Sequence, residues 1–146
     1  MTEYKSLREK IAAETAARKD RYEGFHVAFV RARDAGLAAG KAAQPRPMVV
    51  SNAIGVSDKI DPQGPHWYAP EGTCGFAWVR VSSGRSSFAK WLVKNGLGRK
   101  AYGGGVDIWI SDHGQSIERK EAHARAMAHV LCTDLQVECH ADSRLD

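Results

Sequence analysis

No stretch of this chain approaches the roughly 20 consecutive apolar residues that a membrane-spanning helix needs. Its opening residues, MTEYKSLREK, carry no apolar run of the kind that directs secretion. The expected place of action is therefore the cytosol, with no membrane partner. Cysteine is scarce: Cys74, Cys132 and Cys139 are an odd number and form no CxxC pair. That excludes a disulfide framework and predicts reduced thiols. The spacings that mark a P-loop, a helix-opening GxGxxG or an HExxH zinc helix are all missing, and no repeat or low-complexity tract is present. The most informative absence is local. Residues 80–105 contain no acidic side chain, although six cations (Arg80, Arg85, Lys90, Lys94, Arg99 and Lys100) fall within them.

The rest of the chain has an ordinary composition. Its 146 residues suit a single domain, and 43% hydrophobic with 26% charged residues is the balance of a soluble globular protein. A net charge of +4 is only mildly basic, so the distribution says more than the total. Residues 1–43 hold nine basic and six acidic residues, the mixture of a solvated helix, while residues 106–146 hold four basic and eight acidic. The positive excess is thus confined to the centre.

Residues 3–22 are rich in Ala, Glu, Lys and Arg, which favour helix. Their apolar stripe is thin (Tyr4, Leu7 and Ile11), so the helix needs a partner surface. Phe25, Phe29 and Val30 give a stronger face, Gly24 either breaks the helix or is tolerated, and Gly36 and Gly40 lie four apart where another backbone can come close. Pro45 and Pro47 end it. Met48–Val50 is a short strand, followed by a long turn-rich loop over 51–73. Cys74–Val81 is a strand with both faces partly covered. Ser86 or Ser87 caps a short helix that stops at Asn95-Gly96. Val106–Ile110 is a strand, Ser116 caps a helix over Ile117–Leu131, residues 135–140 form a last strand, and 141–146 are a tail. The fold class is α+β: a long N-terminal helix packed on a small, mostly antiparallel sheet with two further helices. Residues 1–43 are its helical segment and a possible dimer contact, and residues 44–146 its body.

Two constellations suit a phosphate-bearing ligand. The run Ser82-Ser83-Gly84-Arg85-Ser86-Ser87 opens a helix, whose free N–H groups and partial positive charge favour anions. Ser86, Ser87 and Arg85 add donors, with Lys94 further along the helix. The alternative is that the serines are plain caps and the lysines a wet face. The second constellation is Arg99-Lys100-Ala101-Tyr102 followed by Gly103-Gly104-Gly105. Tyr102 can stack on a base beside two cations, or the glycines simply make a turn into the next strand. Trp78, Trp91 and Trp109 read as packing residues. Trp67, with Tyr68 in the long loop, reads as a partner contact. Arg119 and Lys120 sit unfavourably in the first turn of the last helix, where either a bound anion or partner carboxylate, or Glu118 and Glu121, must answer them. No zinc set, nucleophile with a base or carboxylate pair emerges, so neither a metal, a cofactor nor an enzyme is expected.

The segments Cys74–Val79, Ser87–Leu92, Tyr102–Val106 with Ile108–Ile110, Gln115-Ser116 with Arg119–Ala122, and the closing Ala141–Asp146 resemble a small accessory protein family of tailed bacteriophages. That resemblance covers the last hundred or so residues and implies a phage product acting in the bacterial cytoplasm. The order of a long helix and a compact α+β body is also similar to the Thoeris anti-defence proteins, which sequester cyclic ADP-ribose signals. The resemblance implies counter-defence: a non-enzymatic, homo-oligomeric protein that captures a nucleotide immune signal, either cyclic ADP-ribose-like or a cyclic oligonucleotide. A nucleic-acid binder using residues 80–105, and an inhibitor of a bacterial host protein, are the alternatives.

Overall fold

The computed structural model describes residues 2–146, with side chains described from Ser6 onward, so the side chain of Tyr4 lies outside the described residues. Helix α1 (Thr2–Ala42) runs unbroken through Gly24, at which an added Cβ would meet nothing within 4 Å. The glycine is tolerated because it lies on an open flank. At the far end Pro45 and Pro47 lie just beyond the helix, in the segment before Met48 that is neither helix nor strand.

Strand β1 (Met48–Ser51) pairs antiparallel with β2 (His66–Ala69). The segment expected to be a structureless loop therefore contains a strand, whose identity depends on a partner 15 or more residues away. Strand β3 (Gly75–Val81) is followed by α2 (Ser87–Lys94), the short β4 (Arg99–Lys100), β5 (Val106–Trp109), α3 (Ile117–Leu135) and β6 (Cys139–Leu145). The main sheet has the order β4-β5-β3-β6, antiparallel throughout. The α+β expectation with a long first helix holds.

The chain end departs from the reading of a tail after residue 140. Helix α3 continues to Leu135, Gln136 turns in the left-handed region (φ 52°), and Cys139–Leu145 pairs along the whole of β3. The reason lies in size. The residues that β6 turns inward, Cys139, Ala141 and Ser143, are small because α3 presses on them, and Ser143 donates a hydrogen bond to Glu121 of that helix. With His140, Asp142 and Arg144 on the other face, the strand reads as a polar tail.

The core lies between the sheet and its helices. Ala77, Val79, Val81, Val106, Ile108 and Ile110 meet Phe88, Leu92, Ala124, Met127 and Leu131. Helices α2 and α3 lie on this face, and α1 packs in turn on both of them. The α1–α2 contact is aromatic, with Phe25 against Phe88 and Trp91 at 5.4 and 5.9 Å between ring centres. Burying such rings contributes roughly 1.5–3 kcal/mol each. The α1–α3 contact is different: Gly36 and Gly40 admit not a backbone but the rings of His123 and His113.

Candidate functional site

Strand geometry sends alternate residues to opposite faces, so the side of the sheet away from the helices carries three rows. Paired positions across the strands give Arg99–Asp107–Arg80–His140 in the first and Trp109–Trp78–Asp142 in the second, with Phe76–Arg144 in the third. Lys120 of α3 reaches this face at its edge, its ammonium 5.7 Å from the Phe76 ring centre. His140, Asp142 and Arg144 are exposed, and Trp109 keeps 38% of its surface in solvent. Trp109 therefore packs against the rings of Trp78 and Phe76 on the open side of the sheet and not in the core. Trp78 is buried, but beneath Trp109 on this open face rather than in the core, with ring centres 4.8 Å apart. Its indole N–H is buried without an acceptor. Phe76 meets Trp109 edge-on at 6.2 Å, and the Arg144 guanidinium lies over the Phe76 ring at 5.2 Å. In the first row Arg80 grips Asp107 through two hydrogen bonds of 2.7 and 2.8 Å. A carboxylate from outside the acid-free segment thus answers one of its six cations.

The remaining cations do not share one surface. Arg99 shares the open face with Asp107, whereas Lys100, one residue on, pairs with Val106 and belongs to the opposite face. Lys90 and Lys94 are exposed on α2, Arg85 on the turn before it, and Tyr102 is fully exposed. The separation follows from the period-2 alternation of the strand and the outward flank of the helix. Ser86 does cap α2, accepting from the Ala89 N–H at 3.1 Å and donating to the Ser83 carbonyl, so the hydroxyl is spent inside the fold; Ser87 begins the helix in solvent. Gly103, Gly104 and Gly105 all have positive φ, and a Cβ on Gly105 would sit 2.7 Å from the Val81 carbonyl. The triple glycine is therefore required by the turn itself. That turn does abut the serine loop, since a Cβ on Gly84 would lie 3.6 Å from Gly105 N. Both constellations consequently sit at one end of the sheet, beside the first row of the open face.

One recess joins a cation to an aromatic here, a cleft of about 180 Å³ that includes Arg99, Asp107, Trp109 and Ser111. It falls below the roughly 300 Å³ at which pockets for whole small ligands begin. The chain matches no family model, no curated protein and no solved structure. Its function must be read from this geometry.

Arg119 lines a larger cleft of about 610 Å³ with Lys41, Glu71, Cys74, His113 and Ser116, but its guanidinium is already engaged. It donates to the Gly40 and Lys41 carbonyls, each at 2.9 Å, and pairs with Glu71. The cation at the start of α3 thus serves the negative end of α1, where a positive charge is favourable. Lys120 is buried and donates to the Gly75 carbonyl. These bonds resolve the open question about both cations, and Arg119 acts as a tie between elements rather than a ligand contact. Arg119→Ala is expected to lower stability by about 2 kcal/mol, since hydrogen bonds to charged groups contribute roughly 1.5–3 kcal/mol; the urea midpoint measures it, and an unchanged midpoint would remove this role.

Beside that cleft His113 Nε2 and His123 Nδ1 share a hydrogen bond of 2.9 Å. Burial pushes both rings below their ordinary value of 6.5, and for His123 the neighbouring His113 adds to it. Asp112 opposes the shift, while Arg119, Lys41 and Lys120 reinforce it at His113. Because the folded values are lower than the unfolded one, the unfolded chain takes up protons first. The pair's stability is complete above about pH 6.5 and is lost as pH falls below it. The melting temperature should drop from pH 7.5 to 5.5. His113→Asn, which suits the left-handed backbone there (φ 69°), should make that drop shallower, and an equally steep drop would exclude the pair as its source.

The three cysteines are free thiols. Cys132 and Cys139 bring their sulfurs within 3.1 Å, and burial, followed by the contact with Cys132, pushes the Cys139 thiol up to about 12. It stays protonated at neutral pH and is no nucleophile. Among the described residues no group of three His, Cys, Asp or Glu could hold a metal ion, and no helix is long and apolar enough to cross a membrane. Trp67 and Tyr68 are exposed at 53% and 66% on β2, facing Val50 and Val49 of β1. Sequence reasoning missed Phe76, His140 and Arg144 as surface groups. The alternation in residues 139–145 was the signal that could have found the last two.

Proposed function

We propose that the protein is a non-enzymatic binder of single-stranded nucleic acid, held on the open face of the main sheet. The observation that carries this reading is the part-exposed Trp109 ring on a sheet face that also carries Arg99 and Arg144. Every base offers a π-face to an aromatic ring, and cations along the track meet the phosphates. The Phe76 ring already carries the Arg144 guanidinium and the Lys120 ammonium, so Trp109 is the ring that offers its face to a base. Arg85 and Tyr102, both exposed, belong to the two loops that meet at one end of the sheet. Arg80 is held by Asp107 and contributes shape rather than free charge.

A flat, partly aromatic face favours an extended ligand over a recessed one. The capture of a small nucleotide signal, and with it a counter-defence role in the bacterial cytoplasm, stays attached to the phage resemblance and is tested alongside. Tryptophan fluorescence is titrated with a 12-mer of deoxythymidine, with cyclic ADP-ribose and with a cyclic dinucleotide. The oligonucleotide should quench, with affinity falling steeply from 50 to 200 mM salt as counterions are released. Quenching by the cyclic nucleotides alone would restore the small-signal reading, and silence with all three would dismiss both.

A further inference from the structure

Residues 6–20 of α1 are exposed on every side. They extend past the body, yet the stripe that packs α1 against α2 continues along them. Leu7 and Ile11 stand four residues apart on that stripe, each 54% exposed, and Thr15, Arg18 and Tyr22 prolong it towards the buried Phe25. A 15-residue helix segment this exposed is marginal in water. At the base of the projection, where α1 leaves α2, lies a groove of about 680 Å³ that includes Arg18, Tyr22, His26, Val27, Trp91 and Asn95. One molecule thus carries both an uncovered apolar stripe and an unfilled apolar groove, some 15 residues apart on one helix.

We infer that the occupant is a second copy of this chain, its α1 laid antiparallel so that Leu7 and Ile11 of each protomer enter the groove of the other. Charge selects this arrangement. With Glu14 of one copy opposite Arg18 of its partner, both close to the Leu7–Ile11 stripe, two-fold symmetry repeats the pair. A parallel, in-register pair would instead set Glu14 against Glu14 and Arg18 against Arg18, which repel. The antiparallel overlap from about residue 7 to residue 26 covers roughly 30 Å of helix at 1.5 Å per residue. Because Leu7 and Ile11 are each 54% exposed and lie outside the core, their replacement should leave the monomer fold intact. The inference is independent of the nucleic-acid reading.

Sedimentation velocity of the full chain from 1 to 200 µM tests it. The expected result is a monomer–dimer equilibrium that Ile11→Lys weakens at least tenfold. Glu14→Lys and Arg18→Glu should each weaken it, while the double variant Glu14→Lys/Arg18→Glu, which restores opposite charges across the axis, should recover most of the loss. A monomer at every concentration overturns the inference. So does a dimer indifferent to Ile11→Lys, or a double variant weaker than both single ones.

Discussion

Trp109→Ala is expected to weaken binding of the deoxythymidine 12-mer by about five- to 150-fold. That range corresponds to the roughly 1–3 kcal/mol that stacking one base on an aromatic side chain contributes. Trp109 is the most exposed ring of the three on the open face, so a base reaches it first, and it covers Trp78 in the free protein. Removing it takes away the stacking surface without opening the core, because the inward neighbours Ile108 and Ile110 remain buried against the helices. Arg99→Glu should act differently. It removes a phosphate contact, so affinity falls and the dependence on salt becomes shallower by about one unit of slope. Lys90→Glu reverses the same charge on the exposed flank of α2, away from the sheet, and should leave binding unchanged. Equal losses in Arg99→Glu and Lys90→Glu would mean that a diffuse positive field, not this face, attracts the ligand. An unimpaired Trp109→Ala, shown to be folded by near-ultraviolet circular dichroism, would dispose of the stacking surface altogether.

Gly36→Ala is expected to destabilise the protein by about 1–2 kcal/mol, although alanine is the better helix former by about 1 kcal/mol. A Cβ built at residue 36 would lie 2.4 Å from Cδ2 of His123, a ring only 2% exposed, whose Nδ1 is held by His113. The ring cannot retreat without moving α3 or breaking that bond, and overpacking of this kind costs roughly 1–3 kcal/mol or more. Gly24→Ala is the matched control. The same substitution in the same helix meets nothing within 4 Å, so only the propensity term acts and stability should rise by about 1 kcal/mol. Adding His123→Ala to Gly36→Ala removes the obstacle, and the pair should be less destabilising together than the two single effects summed. Strict additivity would show that the clash is not between these two groups. Gly40→Ala should behave like Gly36→Ala, since its Cβ would fall on the ring of His113.

Gly36 and Gly40 illustrate how far the sequence could be read. Their spacing announces a close approach on one side of α1, but a glycine says only that room is needed, not who takes it. Here two histidines from a loop and a helix some 75–90 residues later fill the space. Arg119 repeats the lesson. Its position is locally unfavourable for α3, and only the docking of α1 shows that its charge is spent on the carbonyls of another helix. The open face was hidden for a related reason: aromatic residues alternating with small apolar ones, as in Phe76-Ala77-Trp78-Val79, describe a strand covered on two sides as well as one stacked on itself.

What the residues determined alone was everything that depends on near neighbours. The Ser86 and Ser116 caps, the stop at Asn95-Gly96, the end of α1 ahead of its two prolines and the α+β class follow from hydrogen bonds and torsions within a few positions of each other. Tertiary structure decided which of the six central cations share a surface, that residues 139–145 are a strand, and that Trp109 faces solvent. Those outcomes depend on pairings between segments up to 70 residues apart. The free energy of such pairings belongs to both partners at once and is written in neither.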